Sequence, residues 1–139
     1  MLRPSRMLVL IALGASPMLG ACADGCADRM LTESPSPDGS REAVIFERAC
    51  GATTGFSTQV SVVDAGRHPT GRGNVFIADT DHGLAPAGPG GGPEVRVRWL
   101  GPHTLEVRYH PRARVFQTES RPRGLELRLV ADSSVSATT

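Results

Sequence analysis

The sequence predicts an all-β fold: a small antiparallel sheet or sandwich of about six or seven strands behind a cleaved export signal. Three observations predict it. Apolar and polar residues alternate with period two in Glu94-Val95-Arg96-Val97-Arg98-Trp99, in Thr104-Leu105-Glu106-Val107-Arg108-Tyr109 and in Gly124-Leu125-Glu126-Leu127-Arg128-Leu129. The 139 residues include 16 Gly and 11 Pro, too many breakers for long helices to dominate. The first segment reads as a secretory signal and not as part of the fold. The length allows one domain and excludes a multidomain enzyme. All 15 cationic residues are Arg, and the net charge of +1 carries no polyanion-binding signature.

Taken in order, Arg3 and Arg6 precede the apolar run Met7-Leu8-Val9-Leu10-Ile11-Ala12-Leu13, and small residues lead to Leu19-Gly20-Ala21-Cys22. The run is shorter than the roughly 20 residues a spanning helix needs. Pro17 also interrupts it. Leu19-Gly20-Ala21-Cys22 resembles the bacterial lipobox. That resemblance implies a signal peptide over residues 1–21, cleavage before Cys22 and a diacylglyceryl thioether on the Cys22 sulfur. A thiol is the nucleophile that takes a thioether lipid, and small residues before it fit a narrow protease cleft. The alternative is an ordinary signal peptide that leaves Cys22 as a thiol. Ala23, not Asp, follows Cys22. By the sorting habit of such proteins this implies the outer membrane in a host with two membranes.

With Cys22 lipidated, Cys26 and Cys50 remain, an even number for an oxidising compartment. A bridge closing a loop of about 25 residues is worth roughly 3–4 kcal/mol in loop-closure entropy. A small domain poor in aromatics has good reason to use one. The alternatives are Cys50 as a catalytic nucleophile, or Cys26 and Cys50 with a histidine on a metal. His68, His82, His103 and His110 stand in no catalytic or ligand spacing, so the bridge is the expectation.

Residues 22–40 read as a lipid-anchored tether and lead-in, closed by the turn Ser36-Pro37-Asp38-Gly39. The all-β domain spans 41–130 and is expected to keep one sheet face wet. Ala43-Val44-Ile45-Phe46 is an apolar run suited to a strand buried on both faces, although a helix from Ser40 to Gly51 is the rival. Thr58–Asp64 alternates, and Gly73–Ile77 is another short strand. The segment 82–93, with Gly88-Pro89-Gly90-Gly91-Gly92-Pro93, reads as a flexible connector and resembles no phosphate-binding loop. In the hairpin that follows, Val95, Val97, Trp99, Leu105, Val107 and Tyr109 face a core, while Arg96, Arg98, Glu106 and Arg108 face water or a partner. Residues 131–139 read as a disordered tail.

The succession Ser36–Gly39, Ala43–Arg48, Cys50–Ser61, Gly73–Ile77, the Trp99 strand and Leu105-x-Val107-x-Tyr109 resembles a group of small bacterial secreted proteins, many with lipoprotein signals. It spans roughly residues 35–110. The resemblance implies export and brings no assigned activity. A weaker likeness is to blades of TolB-type β-propellers, but one such stretch cannot close a propeller of at least about four blades.

Two stretches are candidate partner sites. In the loop from Cys50 to Ser61, Thr53, Thr54, Phe56 and Ser57 either offer hydroxyls and amides to a ligand or cap their own backbone in a disulfide-pinned loop. Near the end, Arg108, Arg112, Arg114, Arg121, Arg123 and Arg128, opposed by Glu119 and Glu126, form either a patch for anionic lipid heads, cell-wall polymers or an acidic partner, or an ordinary outward face. No aromatic platform accompanies them, so nucleic acid is not expected. Asp79, Asp81 and His82 lack a coordination spacing, and neither metal nor cofactor is expected. The expectation is a lipid-anchored envelope protein, facing the periplasm, that binds or shields a partner in the envelope or cell wall. The alternative is a small hydrolase or inhibitor-like protein working through the Cys50–Ser61 loop.

Overall fold

The computed structural model describes residues 25–116, 118 and 121–136; the signal segment and Cys22 lie outside them, as does Glu119. The fold is all-β. Its eight strands among the described residues are β1 (Ala27–Pro35), β2 (Arg41–Ala49), β3 (Phe56–Asp64), β4 (Phe76–Asp79), β5 (Val95–Gly101), β6 (Thr104–Tyr109), β7 (Arg114–Phe116) and β8 (Glu126–Ala131). They form a five-stranded sheet in the order β1-β2-β3-β4-β7 and a three-stranded sheet in the order β5-β6-β8.

The two sheets pack face to face. Ala43 and Ile45 on β2 and Val60 and Val62 on β3 meet Val95, Leu105 and Val107 of the second sheet in one cluster. Val97, Trp99 and Tyr109 pack against it part-buried, as the alternation predicts. The register sets these faces: Ile45 lies opposite Val60 and Ala43 opposite Val62, so inward residues stack in cross-strand pairs. Tyr109 closes on the Phe76 ring with centroids 5.3 Å apart.

The structure departs from expectation in five places. The segment read as a tether is strand β1 from Ala27 onward. Its residues are exposed and do not alternate, so only pairing with β2 reveals it. The last strand pairs with β6 in parallel, making the smaller sheet mixed and not antiparallel. The intervening β7 crosses to the other sheet, and this leaves β8 to return in the same direction as β6. The segment 82–93 is built in: Gly88 N–H donates to the Gly92 carbonyl at 2.6 Å and Gly91 N–H to that of Gly88 at 3.0 Å. At Gly92 a Cβ would stand 2.5 Å from Thr58 Oγ1 and 2.7 Å from the Thr58 nitrogen, so only glycine allows that approach. The tail does not fray at Ala131, because Val135 is buried on a turn in which its N–H donates to Asp132 O at 3.1 Å; residues 137–139 lie outside the described residues. Finally, the outer face of the five-stranded sheet is not wet. Val44, Phe46 and Ile77 there are buried.

Part of that cover comes from the segment between β3 and β4. Gly73 N–H donates to Gln59 Oε1 at 2.7 Å, and Asn74 N–H to Ser61 Oγ at 3.2 Å. The Asn74 side chain pairs with both backbone groups of Val62, at 2.8 and 2.9 Å, replacing the ladder that the short β4 does not extend to.

Candidate functional site

Cys26 and Cys50 are disulfide-bonded, with Cα atoms 4.0 Å apart. They flank the paired residues Ala27 and Ala49, so the bridge fastens the first residues of β1 to the end of β2. Beside it, on the outer face of the five-stranded sheet, is a cleft of about 430 Å³. Register explains its floor. Arg48 lies opposite Ser57, Ser57 opposite Asp79, Gln59 opposite Ile77, and Ile77 opposite Phe116. These outward side chains of four adjacent strands form the base, while the disulfide, Thr54, Gly55, Phe56 and Arg72 form the rim.

The polar groups of the cleft are committed to structure. Arg48, only 4% exposed, donates from one nitrogen to both Asp28 oxygens at 2.8 and 2.7 Å. Ser57 Oγ donates to the Arg48 carbonyl at 3.3 Å and accepts from Gln59 Nε2 at 2.8 Å. Thr54 Oγ1 donates to the Gly51 carbonyl at 3.2 Å. Burial pushes the Asp79 carboxyl up, but hydrogen bonds from Arg114 and the Asp81 amide outweigh it and hold the group below the usual carboxylate range. The same contact raises the Arg114 guanidinium, which also lies 5.1 Å from the centre of the Phe116 ring. What faces an incoming molecule is therefore largely apolar surface of Phe56, Ile77 and Phe116, with the Arg72 guanidinium at the rim.

The Cys50–Ser61 residues divide. Thr54, Phe56 and Ser57 line this cleft, whereas Thr53 faces a neighbouring hollow of about 290 Å³ with His82 and Arg114. The arginines do not gather into one surface. Arg114 stands at the disulfide end, bound to Asp79 and facing Asp81 at 3.8 Å. Arg121 lines a gap of about 350 Å³ between the sheets, with Val115, Phe116, Leu127 and Leu129. Arg123 accepts through its carbonyl from Arg41 at 2.8 Å, at the opposite end of the sandwich. Arg108 pairs with Glu106 at 2.7 Å and Asp132 at 3.1 Å, Arg128 with Glu126 at 3.4 Å, and Arg112 is exposed in the turn before β7. Among the described residues no three His, Cys, Asp or Glu side chains group to hold a metal. Sequence reading missed Arg48, Gln59, Arg72, Ile77 and Phe116, which only strand register and loop placement bring together.

Just past β4 the backbone is strained. Asp81 and His82 adopt left-handed φ values of 48° and 58°, a conformation that costs a non-glycine residue about 1 kcal/mol or more. The turn holds because Ala85 N–H donates to Thr80 O at 3.0 Å and Asp81 N–H to Asp79 Oδ1 at 2.9 Å. Comparison with known protein families, curated proteins and solved structures finds no match to this chain.

Proposed function

We propose that this protein is a lipid-anchored component of the bacterial cell envelope, a non-enzymatic binding or structural module that faces the periplasm. One observation carries the reading. The Cys26–Cys50 bridge uses two of the three cysteines, leaving Cys22 as the remaining sulfur at the end of Leu19-Gly20-Ala21-Cys22. A thioether lipid needs that sulfur unbridged, and a structural disulfide belongs in an oxidising compartment. Acyl chains at about 0.8 kcal/mol per buried CH₂ make a two- or three-chain anchor effectively permanent. Ala23 after Cys22 favours the outer membrane where the host has two membranes.

Binding is favoured over catalysis by what the cleft presents. The Cys50 sulfur is oxidised in the bridge, and Thr54, Ser57 and Gln59 are engaged by neighbouring groups. Apolar ring surface with a single guanidinium at the rim suits a hydrophobic or weakly anionic envelope partner, whether protein or cell-wall polymer. The test is metabolic labelling with palmitate in cells producing the full chain. Label in the wild type, its loss in Cys22→Ser and movement of that variant to the soluble fraction are expected. An unlabelled wild-type chain of uncut mass in the cytosol would overturn the reading.

A further inference from the structure

The anchor site and the fold are separated by very little chain. Cys26 is clamped to Cys50, and Cys22 is only four positions earlier. Four residues span at most about 14 Å when fully extended, whereas the nine-residue strand β2 runs about 30 Å along the sandwich. A lipid on Cys22 would therefore hold one particular end of the domain at the membrane surface, the end where β1 begins and β2 finishes.

That end carries the most exposed large apolar side chains among the described residues. Leu84 is 59% exposed and Phe56 48%. Phe56 opens β3 opposite Ala49, directly after the loop that follows Cys50. Leu84 stands on the turn that follows β4, whose last residue, Asp79, lies opposite Ser57. Leu84 is not exposed through looseness. Its N–H donates to the Asp81 carbonyl at 3.2 Å, the next residue Ala85 is buried, and Asp81 and His82 hold the turn in a left-handed conformation. Phe56 is likewise held, its ring packed against Gly91 of the built-in Gly/Pro loop.

Charge at this end is compatible with phosphate headgroups. Asp28 is neutralised by Arg48, and Asp79 and Asp81 are met by Arg114. Arg72, exposed at the cleft rim, forms no hydrogen bond or ion pair among the described residues. With Arg48, Arg72 and Arg114 balancing Asp28, Asp79 and Asp81, this end carries no excess negative charge to repel headgroups, and an apolar pair beside an exposed arginine is the pattern of an interfacial surface.

We infer that the disulfide end of the sandwich rests on the phospholipid bilayer, with Phe56 and Leu84 seated at the boundary between headgroups and acyl chains. This rests on the lipid-anchor reading and adds an orientation to it: the cleft opens beside the membrane, and the Trp99 end points away. The protein's one tryptophan provides an internal control, because the Trp99 indole bonds to Ser34 at the far end.

The full-length lipidated protein is placed in vesicles of phosphatidylethanolamine and phosphatidylglycerol whose acyl chains are brominated just below the headgroup. Wild type, Phe56→Trp and Leu84→Trp are compared, and intact mass reports the lipid on Cys22. The added indole at position 56 or 84 is expected to be quenched, with the Trp99 emission unchanged. Lipidated protein in which neither added indole is quenched, or in which Trp99 is quenched instead, overturns the orientation while leaving the anchor standing. A mass without lipid overturns the anchor, and the orientation falls with it.

Discussion

The indole N–H of Trp99 donates to the backbone carbonyl of Ser34 at 2.9 Å, across 65 positions of sequence. It joins β5, an edge of one sheet, to β1, an edge of the other, at the end of the sandwich opposite the disulfide. Each exposed edge strand presents unpaired backbone groups that invite pairing with another chain. Here the indole bond ties one edge strand to the other, and the bulge at Leu31 and Pro35 at the strand end interrupt the β1 edge.

Trp99→Phe keeps most of the ring packing and deletes the donor. Because the bond is part-buried, the loss is expected to be about 1 kcal/mol in a denaturant melt. A variant as stable as wild type would mean that water serves the Ser34 carbonyl equally well.

Cys50→Ser removes the clamp at the other end. Opening a loop with sequence separation 24 is expected to cost about 3 kcal/mol. The unreduced wild-type domain should be lighter than the reduced one by two hydrogen atoms in intact mass. Equal masses with and without reductant would refute the bridge, and an unchanged melt in Cys50→Ser would refute its role in stability.

Gly92→Ala pushes a methyl against the Thr58 backbone and hydroxyl, and so disturbs the 2.6 Å bond from Thr58 Oγ1 to the Pro93 carbonyl. A cost of about 1–3 kcal/mol is expected. Amide hydrogen exchange should rise at Gly88 and Gly91, whose N–H groups close that loop. Exchange at the free-loop rate already in the wild type would show the segment to be a mobile connector after all.

Asp38 gives the predicted pH response. Its carboxylate accepts from the Ser40 amide, from Ser36 Oγ and from Ser40 Oγ, and these bonds lower its pKa from 3.8 to about 2. A depressed folded-state pKa stabilises the turn above the unfolded value, and that contribution is lost as pH falls from 3.8 through about 2. A carboxyl-carbon titration by NMR should find the Asp38 midpoint at about 2, moving up toward 3.8 in Ser40→Ala. An ordinary midpoint in the wild type would show that the serine bonds are not held in solution.

Much of the architecture was legible in the residue pattern because sheet burial has a local signature. Val95, Val97, Trp99, Leu105, Val107 and Tyr109 alternate and face the core together. Ala43-Val44-Ile45-Phe46 is apolar without a break and is buried on both faces. Strand β1 was illegible because Ala27–Pro35 is exposed and its apolar Met30 and Leu31 are adjacent and do not alternate with polar residues, and its extended form comes from pairing with β2 and from the clamp at Cys26. The three-residue strand β7 is too short to show a period. For the cleft, the sequence pointed to Thr54, Phe56 and Ser57, which are neighbours along the chain. It was silent on Arg48, Arg72, Ile77 and Phe116, which are neighbours only across strands.

The residues in order sufficed for the all-β class, the core face of the hairpin and the pairing of Cys26 with Cys50. Each depends on a period, a composition or a count that survives in one dimension. Tertiary structure alone decided that β8 runs parallel to β6, which segment covers the outer face of the larger sheet, and that Phe56 and Leu84 stand at the same end. Those are relations between segments far apart in sequence, fixed by hydrogen-bond register and by which surfaces are left to exclude water.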